Sequence, residues 1–167
     1  MRDFNRLKLV ASVGLCLVFT ATGCGNKPSS VTDTGILKEF RTNVDTFCNS
    51  ITASDASINS INTNEDGYEQ LLLAELDNLD TNFSTFAALD FPADYDYLEP
   101  LADEAAAYMD TAVSNYHDIF ENEYTQSDLE LKSDYAMENY NRAYKRIQII
   151  IAFLNGEISD EVVTTEN

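Results

Sequence analysis

Positive charge is what this chain has least of. Its 167 residues carry ten Lys and Arg against 29 Asp and Glu, for a formal net charge of −19. Binding to nucleic acid rests on Lys and Arg neutralising phosphates, so that class of partner is excluded. Docking on anionic lipid head groups through protein charge is disfavoured for the same reason. Glycine is sparse too, with six in all. The Gly-x-Ser-x-Gly elbow, the phosphate-cradling loop and the dinucleotide fingerprint are all missing. Histidine occurs once, at position 117, which leaves few routes to nucleophilic or metal catalysis. No alternating apolar–polar run reaches strand length, and neither a low-complexity tract nor an internal repeat is present.

What is there begins with an address. Arg2, Arg6 and Lys8 lead into the apolar run from Leu9 to Phe19, and Thr20-Ala21-Thr22-Gly23-Cys24-Gly25 closes it. A basic start, a short apolar stretch and small residues at its end make a secretory signal peptide over residues 1–23. The uncharged stretch from Leu9 to Thr22 is too short for a membrane-spanning helix, which needs about 20 residues. The small residues leading into Cys24 resemble the lipobox of bacterial lipoprotein precursors, with Ala21 where that motif usually carries Leu. The resemblance implies that Cys24 becomes the lipid-modified first residue of the mature chain. Acyl chains such as palmitate, carried on Cys24, would then hold the protein on the extracytoplasmic face of the cell membrane. Each buried methylene contributes ~0.8 kcal/mol and stable anchoring needs two signals, which a diacylglyceryl group would supply.

Cleavage there takes away Arg2, Arg6, Lys8 and Asp3, leaving seven basic and 28 acidic residues and a net charge of −21. Cys16 departs with the signal peptide and Cys24 is modified, so Cys48 alone remains and no intramolecular disulfide can form. Beside an apolar stripe, Cys48 reads as a small buried apolar residue. Residues 24–33 form the lipidated cysteine and a short polar tether containing Pro28.

The rest of the chain is written in helical period. Ile36, Phe40, Val44, Phe47, Ile51, Ile58 and Ile61 make a first stripe that misses one beat at Ser54-Asp55, where a kink, a cavity or a polar contact is expected. After the turn formers Asn62 to Gly67, a second stripe runs through Tyr68, Leu72, Leu76, Leu79, Phe83 and Phe86, ending near Leu89. Pro92 and Pro100 predict a turn of helix before Pro100 and then a main helix. That third stripe is Leu101, Ala105, Tyr108, Ala112, Tyr116 and Ile119. Ser127-Asp128-Leu129-Glu130 fits a capping box for the fourth helix, whose stripe is Ala136, Tyr140, Ala143, Ile147, Ile150 and Leu154. Asn155-Gly156 is its stop signal, followed by a polar tail at 157–167.

These signals predict an all-α domain over residues 34–156, an up-down-up-down antiparallel four-helix bundle following the signal peptide. A first hairpin turning near residue 63 would place Phe40 opposite Phe86, Val44 near Phe83, Phe47 near Leu79 and Ile51 near Leu76. A turn at 124–125 would place Tyr108 near Tyr140 and Ala112 near Met137.

Candidate sites are few. His117 with Glu121 one turn on could hold a metal, yet zinc and di-iron sites need further ligands, and the reading preferred is an edge histidine with no metal. Asn62-x-Asn64-x-Asp66-Gly67 matches the front of a calcium loop, but the twelfth position is Leu73 and Glu75 falls two residues late, so a polar turn fits better. Arg142, Lys145 and Arg146 read as partners for the acidic helices. Tyr108, Tyr116, Tyr140 and Tyr144 join apolar rings to polar tips on the third and fourth helices, and they are the candidate ligand-binding residues. Core packing with the hydroxyls at the rim is their plain alternative, under which Tyr108→Phe and Tyr140→Phe leave folding almost unchanged. The gap at Ser54-Asp55, set opposite Leu71 to Leu73, is a second candidate. No cofactor and no catalytic residue is assigned. The function expected is a membrane-tethered, non-enzymatic binding or interaction module for an unknown protein or small molecule. An envelope enzyme using paired carboxylates, or a calcium- or metal-dependent module, is the alternative.

Overall fold

A computed structural model describes residues 34–157 of the chain. The signal peptide, Cys24 and the tether, and all of the tail except Glu157 lie outside the described residues. Every regular element described is helical: α1 (Thr34–Ser60), α2 (Tyr68–Ala87), a 3-10 turn (Asp96–Leu98), α3 (Glu99–Glu121) and α4 (Gln126–Leu154). Their packing is that of a helical bundle. None of these helices is long and apolar enough to cross a membrane.

Local chemistry explains most of the boundaries. Gly67 sits at φ 85°, a left-handed conformation that costs glycine little, and it turns the chain into α2. The 3-10 turn precedes α3, and Pro100 lies in the first turn of α3, where its missing amide is not needed. The cap of α4 lies two residues ahead of the predicted box. Thr125 Oγ1 accepts the Asp128 amide at 3.2 Å and donates to the Asp128 carboxylate at 2.7 Å, so Thr125 takes the capping role foreseen for Ser127, while the acid binds its hydroxyl and not the backbone amide that Glu130 was expected to reach. At the far end, Gly156 at φ 71° lets its amide reach Phe153 O and the Glu157 amide reach Ala152 O, both at 2.8 Å. That is a Schellman stop.

α1 is the least helical sequence of the four by propensity. Thr42, Thr46 and Thr52 each fold their hydroxyl back onto the carbonyl four residues earlier, a habit that competes weakly with the helix. Its stability therefore comes from packing its buried stripe, Phe40, Val44, Phe47, Cys48, Ile51 and Ile58, chiefly against α2. Ile36 leaves the predicted stripe and is 60% exposed. The level of Phe40 is already closed by Phe91 and Tyr95 from the segment after α2, one turn short of Ile36.

The most extensive helix contact is between α3 and α4. Ala102, Ala105 and Ala112 on one side and Ala136 and Ala143 on the other are fully buried, and their small side chains let the two backbones close. Met109, Ile119, Ile147 and Ile150 fill the remaining space. Across this pair Tyr97 meets Phe153, Glu104 meets Arg146, Tyr108 meets Arg142 and Asp118 meets Lys132, and in each pair the residue numbers add to 250. α3 and α4 thus run in opposite directions in the register expected for a turn at 124–125, with Arg142 rather than Tyr140 beside Tyr108.

The α1–α2 register is corrected. Phe47 packs edge-on against Phe83 at 5.4 Å and stacks on Phe86 at 4.3 Å, further from the turn than the expected Leu79 level. Phe40 meets Phe91 at 4.8 Å instead of Phe86. Two causes combine. The connection is centred on residue 64, midway between Ser60 and Tyr68, one position later than foreseen. Helical side chains also lean toward their own N-terminus by about one position, which in an antiparallel pair moves facing tips two residues further from the turn. Residue numbers adding to about 130 result, as Phe47 and Phe83 do.

Candidate functional site

The missed beat of the first stripe is the place where α1 reaches α4. Ser54 is buried, and Asp55 beside it points its carboxylate into the bundle. Tyr140 donates to Asp55 Oδ1 at 2.8 Å and Tyr144 donates to the same oxygen at 2.7 Å. One helical turn apart on α4, the two phenols stack with ring centroids 4.8 Å apart. Phe83 of α2 packs on the Tyr144 ring at 5.5 Å. Burial pushes the Asp55 carboxyl above the ordinary carboxylate range, and the two tyrosine hydrogen bonds pull it partly back. Both phenols are held well above the usual tyrosine range, chiefly by burial and further by charge at Asp55, so they stay protonated donors.

Two candidates read separately in the sequence, the tyrosines and the Ser54-Asp55 gap, are therefore one polar cluster. The Asp55 carboxylate of the gap is taken by Tyr140 and Tyr144 of α4, while of the leucines expected opposite it Leu72 is buried and Leu71 is 60% exposed. The other two tyrosines lie apart in role. Tyr116 is buried to 1% exposure in the core, and burial raises its phenol strongly. Tyr108 is half-buried on the outer seam, with the Arg142 guanidinium 5.6 Å from its ring centroid. The four do not line one open groove.

His117 sits at the edge of the bundle, 32% exposed along its side chain. Its Nε2 lies 2.7 Å from Asp77 Oδ1 on α2, and its Nδ1 lies 3.4 Å from Glu121 Oε1 one turn on in α3. The Asp77 hydrogen bond, foremost, holds the imidazole above its ordinary value. Three residues after Asp77, Asp80 has one carboxylate oxygen buried without a hydrogen-bond partner. Burial raises the Asp80 carboxyl, and the negative charges of Asp110 and Asp77 raise it further. Spacing alone reveals the His117–Glu121 pair; Asp77, 40 residues away, it does not. A signal was present all the same, since α2 and α3 contain no Lys or Arg.

The turn at Asn62 uses its oxygens on itself. The Asn62 side chain accepts the Asn64 amide at 3.1 Å and donates to Glu65 at 2.9 Å. Among the described residues, no group of three or more His, Cys, Asp or Glu side chains is arranged to hold a metal ion. Of the basic residues expected to pair with the acidic helices, Arg146 does so across the seam, meeting Glu104 at 2.7 Å, and Arg142 pairs within its own helix, with Glu138. Lys132 joins Tyr124 and Asn122 around Asp118, and these bonds hold the Asp118 carboxyl below the usual range. A shallow open groove along the outer side of α4 is lined by Asp134, Met137, Glu138, Asn141, Arg142 and Lys145.

Compared with protein-family models, with curated proteins and with solved structures, the chain matches none of them significantly.

Proposed function

We propose that this chain is a lipid-anchored protein of the cell envelope whose helical body, an up-down-up-down bundle, serves as a non-enzymatic binding or interaction module outside the membrane. The observation that carries this reading is the sequence Ala21-Thr22-Gly23-Cys24 at the end of a short apolar run, ten residues ahead of Thr34, where α1 starts. Ten extended residues reach at most ~35 Å, so a lipid on Cys24 would keep the base of the bundle close to the bilayer. In that orientation the turns at Asn62–Gly67 and Asn122–Thr125 face away from the membrane, and Asp55 lies in the distal half of α1. A ligand reaching the tyrosines would find Tyr108 and Arg142 on the surface. It would meet Tyr140 and Tyr144 only in exchange for Asp55.

The test is made in a bacterial host. Membrane-extracted wild type should carry acyl chains on Cys24 by mass spectrometry, and Cys24→Ala should be released or left unprocessed. An unmodified Cys24 in the membrane fraction overturns the anchoring.

Asp80 favours a second reading, an envelope enzyme using carboxylates, because its buried oxygen and raised carboxyl stand beside Asp77 and Asp110. Turnover of an envelope substrate by purified protein, lost in Asp80→Asn, would establish that reading in place of the first.

A further inference from the structure

α2 and α3 together hold ten Asp and Glu residues and not one Lys or Arg. The cations of α4 serve the other side of α3, where Arg146 takes Glu104 and Lys132 takes Asp118. On the side toward α2 stand Asp77 and Asp80 from α2, and Asp110 and Glu121 from α3. One helical turn from His117, the Phe120 ring meets Tyr68 of α2 edge-on at 6.5 Å, so the helices touch closely here. His117 is the one group on either helix that can supply positive charge to this seam.

Its geometry makes the proton count matter. A neutral imidazole has one N–H and one lone pair, whereas the protonated ring donates from both nitrogens. Here Nε2 faces a carboxylate at 2.7 Å and Nδ1 faces another at 3.4 Å. Ionised carboxylates only accept. A neutral ring could therefore satisfy one of them and would turn a lone pair toward the other. The protonated ring satisfies both and neutralises one of the two charges.

We propose that Asp77, His117 and Glu121 form a proton-operated clasp, which fastens α2 to α3 while His117 is protonated and releases that fastening when His117 is neutral. Neutral His117 leaves Asp77 and Glu121 with no counter-charge from either helix, and Asp77 also feels the negative charge of Asp80, which stands in the field of Asp110. The carboxylates raise the imidazole above its ordinary value of 6.5, the Asp77 hydrogen bond most, against a smaller opposing effect of burial. The sign follows from linkage. A histidine whose folded value is raised contributes stability fully below 6.5 and loses it as pH rises through the folded value. The clasp is therefore closed in mildly acidic solution and opens on the alkaline side of 6.5.

The full chain is titrated by NMR, following the imidazole resonances of its one histidine from mildly acidic to alkaline pH. The midpoint should lie above 6.5 and fall back toward it in Asp77→Asn. Urea midpoints of wild type and His117→Gln, compared at pH near 6 and near 9, give the second arm. Wild type should lose more stability between the two than the variant does. A wild-type midpoint at or below 6.5, a midpoint unmoved by Asp77→Asn, or an equal pH dependence in His117→Gln overturns the clasp. Should His117→Gln fail to fold, the two NMR midpoints decide alone.

Discussion

Asp55 and Tyr144 stand 89 positions apart in the chain and 2.7 Å apart in the fold. The bond joins α1 to α4, and Tyr140 makes a second one to the same oxygen. Shared acceptance ties both tyrosines to the charge of one carboxylate. It also fixes where α1 can lie, because a slip of one residue would carry Asp55 off the inward face.

Tyr140→Phe and Tyr144→Phe are each expected to destabilise the fold, which corrects the sequence-based expectation that Tyr140→Phe would be almost silent. A hydrogen bond to a charged group contributes roughly 1.5–3 kcal/mol, and partial exposure of Asp55 puts these two near or below the lower figure. The double variant should cost more than the two singles added, since it alone leaves Asp55 with no donor. Urea unfolding of the three variants measures this, and simple additivity would show that the two bonds act independently. Tyr108→Phe removes no described hydrogen bond and should remain near neutral.

Stability should rise as pH falls from neutrality toward the ordinary carboxylate range. Asp55 and Asp80 both have raised carboxyls, so folding favours their protonated forms. Above the raised folded values each costs stability, and the cost is relieved as pH falls through those values toward 3.8. Asp118 works the other way: its contribution holds above 3.8 and is lost as pH falls through its lowered folded value. Chemical denaturation at pH 7 and pH 5 should therefore show a higher midpoint at pH 5. Asp55→Asn should shrink that difference.

Cys48 should be chemically silent in the native protein. It is buried among Phe47, Val44 and Ile51, and burial pushes its thiol up to about 12. The thiolate is the reactive form, so a disulfide reagent should label Cys48 only at the rate of unfolding. Rapid labelling at neutral pH without denaturant would show that α1 opens locally.

Phe47→Ala should be among the most damaging single changes, costing about 3–5 kcal/mol. Its ring touches Phe83 and Phe86, which in turn carry Tyr144 and Phe91, so one deletion loosens α1, α2 and the segment after α2 together. Leu79→Ala should also be costly, since Leu79 is fully buried. A double-mutant cycle separates the two readings of register: Phe47 should couple to Phe86 and not to Leu79.

The sequence by itself determined the class of this protein. Apolar residues at helical spacing can be buried only as amphipathic helices, and four such stripes with short polar links leave little but a helical bundle. Ends followed from local chemistry, as at Gly67, Pro100 and Asn155-Gly156, because those residues act on the backbone beside them. Even the α3–α4 register was legible, since a short turn between two stripes fixes which residues meet. Tertiary structure decided what local rules do not reach. The lean of side chains and a connection centred one residue later moved the α1–α2 register, and the rings of Phe91 and Tyr95 left Ile36 outside the core. Packing chose Asp55 as the partner of Tyr140 and Tyr144 and brought Asp77 to His117. Those contacts join residues 40 to 89 positions apart, where the energy of a contact depends on which faces are brought together and not on spacing along the chain.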